Sequence, residues 1–189
     1  DRYGGVAGDV MGQDCQEMKA LYDPDETVLD EELTRAMTPF SQKPGDITVL
    51  RNRLQDVMWE DVGVMRDADG LQRGLKRIAE IDDELSSVGV AADNLAFNLS
   101  WHDWLNLRSL IDMSMVIAKA ALSRENSRGA HFREDFPDAG AMQESYFTLA
   151  SGYGDAISVT RAPVQFTIVK PGETLLGEDE AETLIKAAQ

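Results

Sequence analysis

The sequence predicts a mainly all-α chain: a three-helix up-down-up bundle of the spectrin-repeat kind, with a helical arm before it and a short β-strand extension after it. Three observations carry this expectation. Apolar residues recur at i, i+3, i+4 and i+7 in three successive segments of the chain. A residue able to cap a helix precedes each segment: Asp46, Asp67, and Ser100 or Asn98. Period-two alternation, the mark of a strand, begins only after Pro137.

Residues 5–20 read as a first helix with Val6, Val10, Met11 and Met18 on its buried side. Gly4, Gly5, Gly8 and Gly12 are costly there, at about 0.8–1 kcal/mol each relative to Ala, and imply a close neighbour. Asp23-Pro24-Asp25 breaks the chain, Asp30 to Phe40 resumes it as helix, and Pro44-Gly45 stops it again. From Asp46, the stripe Ile47, Leu50, Leu54, Val57 and Met58 predicts a helix to about Val62.

Asp67 opens the next helix, with Leu71, Leu75, Ile78, Ile81 and Leu85 inward, and Gly89 stands where a left-handed C-terminal residue is expected. Residues 90–94 are loop. The longest stripe is Trp104, Leu107, Leu110, Ile111, Ser114, Ala118, Ala121 and Leu122, whose small members admit a close neighbouring helix. It runs to about Glu125, and Gly129 stops it. Three long amphipathic helices on short loops make an up-down-up bundle. Beyond Pro137, Ile157, Val159, Val164, Phe166 and Ile168 alternate as strand, and Pro163 confines them to an edge or two short pieces. Residues 177–189 read as a short terminal helix. The expected division is therefore an arm over 1–43, the bundle over 44–136 and a tail over 137–189.

Composition excludes several functions. With 34 acidic and 18 basic residues the net charge is -16, which repels nucleic acid and anionic membrane. No apolar run reaches the roughly 18–20 residues that cross a bilayer, and the start carries no signal-peptide pattern. The lone Cys15 forbids an internal disulfide and a CxxC metal knuckle, which fits a reducing cytoplasm. No metal site assembles from two distant histidines, His102 and His131. His102 reads as a surface residue, Trp59, Trp101 and Trp104 as core or docking aromatics, and Met113 and Met115 as packing.

One segment gathers cations in this acidic chain. Arg124, Arg128, His131 and Arg133 stand at the C-terminal end of the longest helix, where the last carbonyls favour positive charge. Two readings remain open. The arginines serve a structural network with Glu125, Glu134 or Asp135, or they form a docking surface for an acidic partner or carboxylate.

The string Glu125-Asn126-Ser127-Arg128-Gly129-Ala130-His131-Phe132-Arg133-Glu134-Asp135-Phe136-Pro137 resembles the E-S-R-G-A-H-x-R-x-D-x-P signature of the C-terminal region of succinate dehydrogenase and fumarate reductase flavoproteins, with Asn126 as a departure. L-aspartate oxidase carries a similar, weaker form. Leu54 to Met58, Val62 to Asp67 and Leu105 to Leu110 match in order upstream, and Phe147-Thr148-Leu149 and Arg161-Ala162-Pro163-Val164 echo the family downstream. Tyr3 to Asp9 resembles the last helix of the family's FAD-binding domain, which passes close beneath the flavin.

The resemblance implies a helical domain that packs on and supports the flavin domain of an FAD-dependent oxidoreductase acting on a dicarboxylate. The G-x-G-x-x-G turn that seats a dinucleotide is missing, and the family's substrate-binding His and Arg cannot be mapped. Hence no catalytic, cofactor-binding or metal residue is assigned, and the chain is expected to bind no FAD alone. Its implied partners are a FAD-binding domain, in the same or a separate chain, and an iron-sulfur subunit. Its place is cytoplasmic, peripheral on the inner face of the membrane through that complex, without direct insertion. The rival readings are a stand-alone helical interaction module that binds a separate flavoprotein chain, and a helical bundle matched by chance.

Overall fold

A computed structural model of the chain describes residues 2–18, 23, 25–152 and 154–173. The described residues are mainly helical, with five α-helices and two small two-stranded sheets. They divide into two compact units, residues 1–38 and 39–189.

The first unit holds α1 (Arg2–Glu17) and α2 (Glu26–Met37). Asp25 caps α2 by accepting from the Thr27 N–H, so this helix starts four residues before the position expected from sequence. The predicted buried side of α1 is not buried: Val6, Val10, Met11 and Met18 are 46–64% exposed. No described atom lies within 4 Å of a Cβ built at Gly4, Gly5, Gly8 or Gly12. The helix forms, but amphipathicity only states that a face can be covered, and among the described residues none covers this one.

The second unit is built on α3 (Ile47–Glu60), α4 (Ala68–Ser86) and α5 (Leu99–Ser123). Asp46 caps α3 through the Thr48 N–H, Asp67 caps α4 through Gly70, and Asn98, rather than Ser100, caps α5 through Trp101. The three helices pack on one another in all three pairings. Leu50, Leu54 and Val57 of α3 meet Leu71, Ile78, Ile81 and Leu85 of α4 and Trp104, Leu107, Ile111, Ala118 and Ala121 of α5 in one core. Burying each large apolar side chain contributes about 1.5–3 kcal/mol. The Trp104 indole finds the Val88 carbonyl at 2.8 Å, which satisfies its one donor. Leu110, placed inward by the sequence stripe, is instead 47% exposed.

Gly89 corrects a second expectation. It is absent from the positive-φ glycines, and the helix it follows is capped by Ser87. Its hydrogen is required by proximity: a Cβ there would meet the Gln42 carbonyl oxygen and lie 2.5 Å from that of Pro39. The Gly89 N–H donates to the Lys43 carbonyl at 2.9 Å, binding the loop after α4 to the segment before α3.

The first sheet pairs β1 (Met65–Arg66) with β2 (Phe132–Arg133) in parallel. The second pairs β3 (Tyr146–Ser151) with β4 (Ser158–Pro163) antiparallel, Tyr146 opposite Pro163. Val159 is in β4, but residues 164–168 form no strand. Pro163 offers no ladder donor, and the Val164 N–H makes one last bond to the Ser145 carbonyl before pairing ends. The terminal helix expected over 177–189 lies outside the described residues.

Candidate functional site

The sequence gathers cations beyond the end of α5, and the structure shows how each is held. Arg133 is 1% exposed and lies at the centre. Its Nη1 donates to the carbonyls of Ala121, Leu122 and Arg124 at 3.0–3.1 Å, at the C-terminal end of α5, where Ala121 also accepts from the Arg124 N–H. Its Nε and Nη2 form a two-point clamp on Asp135 at 2.7 and 2.6 Å. Asp135 in turn accepts from the Ala68 N–H, 3.0 Å away in the first turn of α4.

A buried cation therefore closes the negative end of α5, and its carboxylate partner closes the positive end of α4. The Arg133 guanidinium holds the Asp135 carboxyl down to about 2 and is itself held further protonated by it. The Arg-x-Asp of the motif is thus a structural strap, and its guanidinium is not on the surface.

His131 stands one register step before β2. Its Nδ1 lies 3.0 Å from Nη1 of Arg66 in β1. A guanidinium always donates, so Nδ1 accepts and the ring proton sits on Nε2, which is buried and has no partner. Burial, and then Arg66, Arg124 and Arg133 around the ring, push the imidazole below its usual value; the Arg124 carbonyl acts the other way without reaching hydrogen-bond geometry. Neutral His131 is a second clasp on the same β1–β2 pair that carries Arg133.

Arg128 is held by the Ala139 carbonyl, the Ala141 carbonyl at 2.8 Å and Ser145 Oγ at 3.0 Å. Gly129, at φ +58°, turns the chain so that Arg128 and His131 exchange backbone bonds. Arg124 and Arg161 stack on Tyr146, 5.5 and 4.7 Å from the ring centre, and Arg161 reaches the Ser123 carbonyl. Thus Arg124, Arg128, His131 and Arg133 do converge, and the fold adds Arg66 and Arg161. Sequence reasoning missed these two because they lie far away along the chain. Both stand inside the motif strings Val62 to Asp67 and Arg161 to Val164, whose spacing gives no sign that their charges meet.

Exposed apolar side chains flank the corner: Met65 and Phe132 are register partners in β1 and β2, at 63% and 38%, with Val64 beside them at 72%. A further apolar row, Leu110, Met113 and Ile117, runs along the outside of α5 at 43–57% exposure. It borders an open groove of about 460 Å³ that Arg51, Asp103, Asn106 and Ser109 also line. His102 is exposed, as expected. Trp104 is core, Trp101 is half-buried and meets the Phe40 ring at a tilt, 5.4 Å between centres, and Trp59 is 81% exposed. Among the described residues no three His, Cys, Asp or Glu side chains converge to hold a metal, and no helix is long and apolar enough to cross a membrane.

Residues 51–175 match the family described as fumarate reductase flavoprotein C-term. An uncharacterised FAD-dependent oxidoreductase of Methanocaldococcus jannaschii is 31% identical over 135 residues, 70% of this chain and 24% of that protein. A succinate dehydrogenase flavoprotein subunit of Rickettsia bellii is 32% identical over 138 residues, 70% of this chain and 23% of its own length. Among solved structures, Mycobacterium smegmatis Sdh1 in complex with UQ1 superposes with a TM-score of 0.69 at 28% identity, covering 90% of this chain and 29% of that one. The chain thus spans less than a third of the length of these relatives.

Proposed function

The chain belongs to the succinate dehydrogenase and fumarate reductase flavoprotein C-terminal family, and we propose that it acts as the helical domain that packs on and supports a flavin-binding body, without catalysing a reaction alone. In this reading residues 44–136 are a three-helix up-down-up bundle, residues 1–43 an arm ending the flavin-binding part, and residues 137–189 a tail lying on the larger body. The parent protein carries FAD and oxidises or reduces a dicarboxylate. It works in the cytoplasm, on the inner face of the membrane, with an iron-sulfur subunit as electron partner. Arg124, Arg128, His131 and Arg133 organise the docking end: Arg133 and His131 by holding it rigid, Arg124 and Arg128 from nearer the surface.

The single observation that carries this is the match over residues 51–175 to a family of flavoprotein C-termini, in a chain that spans under a third of its relatives. The exposed faces support it. A helix apolar on two sides, as α5 is, ordinarily has two neighbours. The glycines of α1 leave its backbone open for a close approach.

The test is to mix the chain with the flavin-binding part of a relative lacking its own C-terminal region. Formation of a complex that retains FAD and reduces fumarate or oxidises succinate is expected. A flavin-binding part equally active and equally FAD-loaded without the chain would overturn the supporting role.

A further inference from the structure

Eleven arginines have described side chains, and seven of them lie within ion-pair distance of a carboxylate. In a chain with 34 acidic residues that is the expected condition. The other four, Arg66, Arg124, Arg128 and Arg161, have no carboxylate partner among the described residues. They bond only to carbonyls, a hydroxyl, an amide oxygen, a neutral imidazole and an aromatic ring.

These four are also neighbours. Arg66 meets His131, and His131 exchanges backbone bonds with Arg128. Arg128 holds Ser145, the residue before Tyr146, on which Arg124 and Arg161 both stack. Glu125, Glu134 and Asp138, the nearest acids along the chain, pair with none of them. The Nε donor of Arg124 is buried with no acceptor.

We propose that this corner is a docking site for an acidic segment of a partner protein, with Arg124 and Arg161 making the principal contacts. Four unmatched guanidiniums in a strongly acidic chain complement negative charge, and the guanidinium fork is the side chain best suited to receive carboxylates. A protein segment fits better than a free dicarboxylate. The four side chains are tied down at separate places, three of them to the carbonyls of Val62 and Gly63, of Ala139 and Ala141, and of Ser123, and Arg124 to the side-chain oxygen of Asn126, so they spread charge over a surface instead of converging on one point. Met65 and Phe132 add apolar area beside them, as a protein interface needs. The inference deepens the proposed docking role and rests on it only for the partner being a larger protein.

The test is nuclear magnetic resonance of the whole 15N-labelled chain, following arginine Nε–H signals on titration with an oligo-glutamate peptide. Saturable shifts confined to Arg66, Arg124, Arg128 and Arg161 are expected, weakening as salt is raised. The double variant Arg124→Gln, Arg161→Gln binds about tenfold more weakly, and Lys76→Gln, on the outer face of α4, binds as the parent does. If the double variant does not fold, exposed Arg161→Gln alone carries the comparison.

Shifts spread over all arginines, no shifts, or equal binding of succinate at the same sites would each overturn the proposal. The mixing experiment separates it from the preceding reading. If the parent chain docks on a flavin-binding part and the variant docks equally well, this inference fails and the reading stands. If the parent chain docks on none but binds oligo-glutamate, the reading fails and this inference stands.

Discussion

Arg133 joins two helix ends through one side chain, so its removal tests the strap directly. Arg133→Ala leaves Asp135 without its cation and takes away the donor that the carbonyls of Ala121, Leu122 and Arg124 share, Ala121 keeping the Arg124 N–H. Asp135 is exposed and water can take the place of its partner, so the cost is that of buried carbonyls losing a donor, about 1–3 kcal/mol, and a urea titration should show the midpoint fall accordingly. Arg133→Lys should recover little of it, because an ammonium cannot span both carboxylate oxygens and the α5 carbonyls. The two clasps also respond to acid in separate windows. His131 titrates below its ordinary 6.5 when folded, so the unfolded chain takes the proton first. Stability should be level above that value and fall as pH drops below it, through the folded value. His131→Gln, whose amide oxygen still accepts from Arg66, should remove that slope from a plot of urea midpoint against pH. Asp135, held at about 2 against 3.8, contributes stability that is complete above 3.8 and is lost as pH falls through about 2.

At the scale of elements, two glycines separate what a helix pattern reveals from what it cannot. Gly8 in α1 meets nothing, so Gly8→Ala should strengthen the isolated helix by about 0.8–1 kcal/mol through propensity alone. Gly89→Ala drives a methyl into the carbonyls of Gln42 and Pro39, backbone atoms that cannot step aside; a loss of at least about 1–3 kcal/mol should appear in thermal melts. The three core helices were legible because each carries a periodic stripe and a side-chain cap, both properties of neighbouring residues in the chain. Neither β1 nor β2 was, since two residues hold no period, and their parallel pairing joins Met65 to Phe132, far apart along the chain, where Arg66 also meets His131. Nor was β3: Phe147 and Leu149 face solvent, so its alternation marks no core. The signal for that hairpin was Gly152 and Gly154, both at positive φ in its turn. The arginine corner was half legible. Arg124 to Arg133 sit in one stretch, but Arg66 and Arg161 join them only through the fold, and sequence spacing gives no sign that Arg133 is buried.

Over the whole molecule, a net charge of -16 opposes association of like copies, whereas the outer row of α5 favours it. The neighbouring α4 shows what a solvent face looks like in this chain: Gln72, Arg73, Lys76, Glu80 and Asp83 turn outward. On α5 the outward row is Leu110, Met113 and Ile117, at helical spacing, without a charge among them. These two terms depend on salt with opposite sense. Screening shrinks the repulsion between copies, with a Debye length of about 10 Å at 0.1 M and about 3 Å at 1 M, and leaves apolar contact intact. Self-association measured by sedimentation should therefore strengthen as salt is raised, and Met113→Glu should abolish it while leaving the helical circular dichroism unchanged. Binding of an acidic peptide at the arginine corner should weaken over the same range. A chain that stays monomeric at every salt concentration would mean that the α5 row is too narrow to drive contact. Association that weakens with salt would instead place it at the arginine corner, one copy's acidic surface serving as the other's ligand.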